Sequence, residues 1–272
     1  MTTKNDFECK HKVLTIAQFS DSHLFADLDG LHHKVNVYEN LKQTLVSIAE
    51  NPSIDYAIFT GDLTQDHTEQ SYKNFADAVQ LANINIPILY LAGNHDEPSL
   101  LKKYLTAAPF ISDNKIDSEH WQIQLINSKS DTPAGLVSDK TLMALPQRLD
   151  CNKYQLLLMH HHPIDVGYFI DKHGLQNKAH FWQAITTYND NNKGIIKALA
   201  CGHVHRASVL TTQSNTPAVV QAKASIDLYT CPATSIQFDP NAETVCALAQ
   251  GPAYRLFYLY QDGTLNSDIV HV

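Results

Sequence analysis

Short apolar runs alternate with amphipathic stretches through the first two-thirds of this chain, and run after run stops on aspartate, asparagine or histidine. That alternation constrains the fold more than any other feature. "KVLTIAQF", "IDYAIFTG", "IPILYLAG", "WQIQLINS", "YQLLLMH" and "IIKALAC" read as strands, because apolar runs of this length suit strands buried on both faces. Between them, "NVYENLKQTLVSIAE" carries Val37, Leu41, Leu45 and Ile48 at helical spacing. "TEQSYKNFADAVQLAN" has Phe75, Val79 and Leu81 on or near one side, and "NKAHFWQAITTY" is a further helix. "PSLLKKYLTAA" opens on Pro98, while "DKTLMALPQRL" is expected to be a broken helix.

The last third changes character. "SVLTTQ", "AVVQAKA", "TSIQF" and "RLFYLYQDGTLNSDIV" read as strands, the last folded back at Asp262-Gly263. Strand-helix alternation followed by strands predicts an α/β sandwich. One domain over 1–272 is expected, with the strand-rich residues from about 210 to 272 completing the second sheet. No internal repeat, low-complexity segment or linker interrupts it.

The 272 residues suffice for a large core, and no apolar run approaches the roughly 18 to 20 residues of a membrane span. The N-terminus shows no secretory apolar region, so a cytoplasmic protein is expected. Five cysteines without a CxxC read as reduced thiols. A net charge of −8 argues against nucleic-acid or anionic-membrane partners. It does not exclude a small phosphate, because bound divalent cations dominate a local field. Fifteen histidines are the first compositional sign of metal chemistry.

The polar clusters are specific in position. Asp21 and His23 follow the first strand, Asp62 the second, and Asn94, His95 and Asp96 the third. His160, His161 and His162 follow "QLLLM", and His203 and His205 follow "IIKALACG". Side chains two apart on an extended segment point the same way, so His203 and His205 can reach one point in space. In open α/β sheets ligands bind beyond the carboxyl ends of the strands. Each cluster alone reads as an ordinary turn; five at five strand ends point to one shared site. A point that draws two neutral imidazoles is usually a metal ion.

The order D-x-H, G-D, G-N-H-D, H-H-x-P and G-H-x-H resembles the calcineurin-like metallophosphoesterases. "DSHLFA", "TGDLTQD", "LLLMHHHPIDVG", "CGHVH" and the tail from "TSIQF" to "YRLFYLYQDGTL" look like the bacterial class III 3′,5′-cyclic-AMP phosphodiesterases, from about residue 13 onward. The resemblance implies a four-layer α-β-β-α sandwich, two mixed sheets flanked by helices. It implies a dinuclear-metal hydrolase opening cyclic AMP to 5′-AMP. Asp62 would bridge two divalent ions, with Asp21, His23 and His205 on one and Asn94, His160 and His203 on the other. Mixed nitrogen and oxygen ligation suits iron, manganese or zinc, and the family favours iron or manganese. His23, Asp62, Asn94, His95 and His205 would meet the substrate. His95 would protonate the leaving 3′-oxygen, and Asp96 would orient His95. A homodimer is among the states the resemblance allows. Two departures stand out: Ala92 where many relatives carry proline, and Lys34 where that branch carries glycine.

The remaining residues carry plainer expectations. His161 and His162 read as supporting the ligands from behind or as structural, Asp66 and His67 as helix-start residues, and Cys201 as a small buried residue. His32 and His33 read as solvated loop residues, with a lid or substrate contact as the alternative. Trp121 and Trp182 belong to the core, and Tyr254, Phe257, Tyr258 and Tyr260 to a half-buried strand. Two other functions compete. One keeps the site but acts on other cyclic nucleotides, glycerophosphodiesters or monoesters. The other is a non-catalytic nucleotide sensor, which would have eroded ligands.

Overall fold

The structure, a computed structural model, describes residues 11–211 and 225–272. In chain order its elements are β1 (Lys12–Phe19), β2 (Leu31–His32), β3 (Val35–Asn36), α1 (Val37–Ala49), β4 (Tyr56–Phe59), α2 (Glu69–Leu81), β5 (Ile88–Tyr90), α3 (Pro98–Tyr104), β6 (Phe110–Ile111), β7 (Lys115–Asp117) and β8 (Trp121–Leu125). Then follow α4 (Asp139–Arg148), β9 (Tyr154–Met159), a 3₁₀ turn (Phe169–His173), α5 (Lys178–Asn191), β10 (Ile196–Cys201), β11 (Ser208–Thr211), β12 (Asp227–Thr230), β13 (Ala253–Tyr260) and β14 (Leu265–His271).

Two six-stranded mixed sheets result, in the orders β14-β13-β1-β4-β5-β6 and β11-β12-β10-β9-β8-β7. Side-chain alternation explains the layers. Ile16, Ile58, Leu156, Leu158, Ala198 and Ala200 fill the core between the sheets, with Trp121 and Phe257. Their neighbours Ala17, Phe19, Ala57 and Phe59 pack beneath α1, α2 and α3. Leu157, Met159, Leu199 and Cys201 pack with Leu142, Leu145, Phe181 and Trp182 of α4 and α5. Strands buried on both faces explain why the runs are apolar throughout. The outcome is the expected α-β-β-α arrangement, with the parallel strands β1, β4 and β5 and β9 and β10 delivering their carboxyl ends to one edge.

Several expectations need correction. β12 joins the second sheet, but the β13-β14 hairpin joins the first, with β13 antiparallel to β1. "TSIQF" is no strand. It is buried yet irregular, because Thr234 and Ser235 donate to the carbonyls of Ser20 and Asp21 rather than to a neighbouring strand. β13 is buried on both faces, Tyr254 toward the helices and Phe257 between the sheets. α4 continues through Pro146, which sits on its exposed side. "AVVQAKA" lies outside the described residues. Cys151, Cys201, Cys231 and Cys246 are free thiols, and Cys201 is fully buried as expected. Among the described residues no helix is long and apolar enough to cross a membrane.

Candidate metal centre

Five loops meet at the shared edge, and their backbones are unusual. Asp21, His23, Asp62, His203 and His205 all have φ between 47 and 66°. A non-glycine residue held in this left-handed region costs on the order of 1 kcal/mol or more, and such strain persists only where the surroundings over-determine it. Here they do. Asp21 and His23 donate their N–H to the carbonyls of Gly61 and Asp62 at 2.9 and 3.0 Å, and the Ser235 hydroxyl donates to Asp21 O at 2.6 Å. The glycines of the motifs permit close approach. A Cβ on Gly93 would lie 2.2 Å from Asp62 Oδ1, and one on Gly202 would lie 2.1 Å from Ser20 Oγ.

The seven expected ligands come together in two groups that share Asp62. On one side His23 Nε2 faces His205 Nε2 at 3.1 Å, and His205 Nε2 lies 3.4 Å from Asp21 Oδ1. On the other, His160 Nε2 lies 3.1 Å from Asn94 Oδ1 and 3.2 Å from His203 Nδ1. Asp62 Oδ2 reaches both, 3.2 Å from His160 Nε2 and 3.8 Å from His23 Nε2. Asp62 Oδ1 accepts from the backbone N–H of His95 at 2.8 Å.

The donor set fits metal ions. His23 Nδ1 donates to Gln65 Oε1 at 2.8 Å, His160 Nδ1 to Thr60 O at 2.7 Å, and His205 Nδ1 to Ile236 O at 2.8 Å. Each proton is thereby fixed on the outer nitrogen, which leaves the inner lone pair aimed at the centre. Inner nitrogens and carboxylate oxygens crowd together with few protons between them, which is the arrangement a cation resolves. Burial, followed by the neighbouring His205, holds His23 well below the usual histidine range, and burial and His161 do the same to His203. Both are thus neutral, as metal ligation requires. Burial opposes the His160 cation, yet the Asp62 carboxylate, its hydrogen bond and Asp21 together push His160 up to about 9, so a metal ion bound there would displace a proton from its inner nitrogen. Burial likewise opposes the Asp62 anion, but the surrounding histidines hold it below the carboxylate range.

Asp96 does not take its expected place behind His95. Its carboxylate accepts from Leu63 N and Gly93 N, both at 2.8 Å, and His95 Nδ1 is buried without a partner. The reason is the tight turn at Gly93, which points the carboxylate back at the backbone. Burial and the Asp62 charge raise the Asp96 pKa. His161, expected beside the ligand set rather than in it, bonds Ser128 Oγ at 2.9 Å and Pro133 O at 3.2 Å and lies close to His160 and His203. His162 pairs with Asp171 at 3.2 Å and stacks on His203. His32 is not solvated: it is half-buried with its ring stacked on His23, centroids 5.3 Å apart, whereas His33 is exposed. His67 stacks on His95 at 5.4 Å just before the α2 cap, Thr68.

Other contributors are not readable from sequence. Thr60 and Ile236 act through backbone carbonyls, which no side chain announces. Gln65 lies three residues after Asp62, inside "TGDLTQD", and that spacing is the one available signal. A cleft of about 360 Å³ opens above the centre, lined by His95 and by Phe169, Phe238 and Val245 among others. None of Tyr254, Phe257, Tyr258 or Tyr260 lines it.

Residues 14–207 match the family described as calcineurin-like phosphoesterase. The chain is 57% identical over 270 residues to a probable cyclic nucleotide phosphodiesterase of Colwellia psychrerythraea, covering 99% of each. It is 29% identical over 260 residues to the 3′,5′-cyclic adenosine monophosphate phosphodiesterase CpdA of Escherichia coli K12, covering 93% of this chain and 88% of that one. The purple acid phosphatase PPD1 of yellow lupin shares the fold at a TM-score of 0.59 and 14% identity, covering 95% of this chain. This chain spans about half of that one, 53%. The family match runs through all five strand-end clusters, and the chain belongs to the calcineurin-like phosphoesterase family.

Proposed function

We propose that residues 1–272 form a single catalytic domain that hydrolyses 3′,5′-cyclic AMP to 5′-AMP with two divalent transition-metal ions, iron or manganese before zinc. The observation that carries this reading is Asp62 Oδ2, within 3.2 Å of His160 Nε2 and 3.8 Å of His23 Nε2, one carboxylate serving two ligand groups. The names of the relatives from Colwellia psychrerythraea and Escherichia coli support the substrate. In this reading Asp21, His23 and His205 hold one ion, Asn94, His160 and His203 the other, and Asp62 both. Bound there, the ions would supply Lewis acidity for the phosphoryl oxygens and an activated water.

The chain's own residues do the rest. The Gln65, Thr60 and Ile236 acceptors lock the imidazoles so that the site needs no rearrangement. His23, Asp62, Asn94 and His205 line the cleft where the phosphodiester would lie. In this reading His95, half-buried in the lining of the cleft, gives a proton to the leaving 3′-oxygen, a step typically worth about 10²- to 10⁴-fold. The same reading makes the protein a cytoplasmic enzyme, and light scattering tests whether it pairs as a homodimer.

A substrate panel decides between cyclic AMP and the alternatives. Cyclic AMP, a generic aryl phosphodiester and a phosphomonoester are assayed with manganese and with iron. Release of 5′-AMP with a kcat/KM well above the aryl diester supports the reading. Faster turnover of the aryl diester or the monoester would overturn the cyclic-nucleotide assignment while keeping the hydrolase.

A further inference from the structure

The cleft over the centre is lined by two chemically different sets of residues. His23, Asp62, Asn94, His95, His203 and His205 make one. That set accounts for a phosphate and its ester oxygens, and for nothing larger. The rest of the lining is Pro133, Phe169, Ile170, Phe238 and Val245, with Lys172, His173 and Thr244 as its polar members. A phosphate has no use for the apolar members of that set. At about 360 Å³ the cleft also falls within the roughly 300–1,000 Å³ of pockets that enclose a small organic ligand.

The apolar set is rigidly built. The turn carrying Phe169 is fastened by Asp171, which accepts from Val166 N at 2.7 Å and Gly167 N at 2.8 Å and pairs with His162. The loop carrying Val245 is closed by the Phe238–Ala247 bridge, with Asp239 N donating to Cys246 O at 2.9 Å and Leu248 N to Gln237 O at 2.9 Å. Phe238 lies flat on the ring of His205, centroids 3.9 Å apart and 4° from parallel, and Phe169 leans on Phe238 at 5.2 Å. Phe238 is therefore committed to its neighbours and only 5% exposed, whereas Val245 is 40% exposed and Phe169 half-buried. Phe169 and Val245 both line the cleft, with the Lys172 ammonium over the Phe169 ring at 5.9 Å from its centroid, a contact a base would have to share or displace.

We infer that Phe169 and Val245 form a base-binding subsite, which takes the flat heterocycle of a nucleotide whose phosphate lies against the histidines. The inference rests on the phosphodiesterase reading for its position, not for its chemistry. Stacking needs a π-face and an apolar surface, and every nucleobase supplies the first.

The test compares cyclic AMP with the methyl riboside 3′,5′-cyclic phosphate, which lacks the base, on the manganese-loaded enzyme. Phe169→Ala and Val245→Ala are each expected to raise the KM for cyclic AMP about tenfold, the loss typical of one stacking contact. Their kcat should hold within about twofold, since the contact is equal in ground and transition states. Neither variant should change turnover of the base-free ester, and Phe169→Trp should keep the cyclic AMP KM. Val245 is exposed enough that its truncation leaves the melting temperature as a folding control. Equal effects on both substrates, or none on either, would overturn the subsite while leaving the phosphodiesterase reading intact. If the wild type cleaves neither ester, that reading fails, and binding of adenosine to the metal-free protein, followed by NMR, decides the subsite alone. Adenosine binding that Phe169→Ala weakens supports it; adenosine that does not bind the wild type removes it.

Discussion

Asp62 and His160 leave strands of opposite sheets, and their side chains meet with Oδ2 3.2 Å from Nε2. The contact ties β4 to β9 at the point where both ligand groups converge. Asp62→Ala removes the oxygen that serves both. Metal content, measured by elemental analysis after repletion, should fall below the wild-type value, and turnover should fall by more than about 100-fold. Chelation of the wild type should lower its melting temperature, because ligand-site binding stabilises the folded state alone. Asp62→Ala with wild-type metal content and turnover would remove Asp62 as the shared ligand.

Asp66 makes a pH-dependent contribution outside the ligand set. Its Oδ2 accepts from Ala26 N at 2.6 Å, and its Oδ1 from Thr68 N at 3.1 Å and Thr68 Oγ1 at 2.8 Å. Partial burial opposes the anion, yet these donors hold the carboxyl below its usual range. A depressed folded-state pKa gives stability that is present above the unfolded value of about 3.9 and lost as pH falls through the folded value. Asp66→Ala should therefore cost about 1–3 kcal/mol in urea unfolding near neutral pH. The gap should narrow as pH falls below the unfolded value of about 3.9. A gap independent of pH would show that the charge on Asp66 is not what matters.

Lys34 stores strain that glycine would release. The two residues between β2 and β3 are His33 and Lys34, with φ of 47 and 70°, the backbone of a turn that favours asparagine and glycine. Glycine at 34 removes a penalty on the order of 1 kcal/mol, partly offset by its own entropy. Lys34→Gly should thus raise the melting temperature by about 1–3 °C. A lowered value in calorimetry would mean the lysine side chain contributes more than its backbone costs.

Much of this was legible because burial and chemistry coincide in the chain. An apolar run such as "YQLLLM" needs two covered faces, and a polar cluster at its end needs a reason; together they locate His160. The hidden parts depend on partners distant in sequence. Nothing local says that β13 pairs with β1, since strand pairing is set by the assembled sheet. "TSIQF" has strand composition, but its Thr234 and Ser235 N–H groups serve Ser20 and Asp21 and its Ile236 carbonyl serves His205. β2 and β6 are two residues long, too short for any period. Lys34 showed at the sequence level as a missing glycine, and the left-handed φ supplies the reason.

Asp96 separates two accounts of one carboxylate. If it oriented His95, its removal would flatten the acid–base limbs of the pH–rate profile and spare stability. The structure gives it Leu63 N and Gly93 N instead, two buried donors that clamp the Asp62 loop to the Asn94 loop. Asp96→Ala orphans both, at about 1–3 kcal/mol for each group left without a partner. The melting temperature should fall by several degrees, and metal content should fall with it because Asp62 loses its brace. Asp96→Asn keeps the shape and one acceptor but turns an N–H toward a donor, so it should recover part of the stability and not all. The two measurements are a thermal melt and a pH–rate profile on the same variants. Unchanged stability with an altered profile would return Asp96 to the side of His95; lost stability with the profile's shape retained fixes it as the clamp between the two loops.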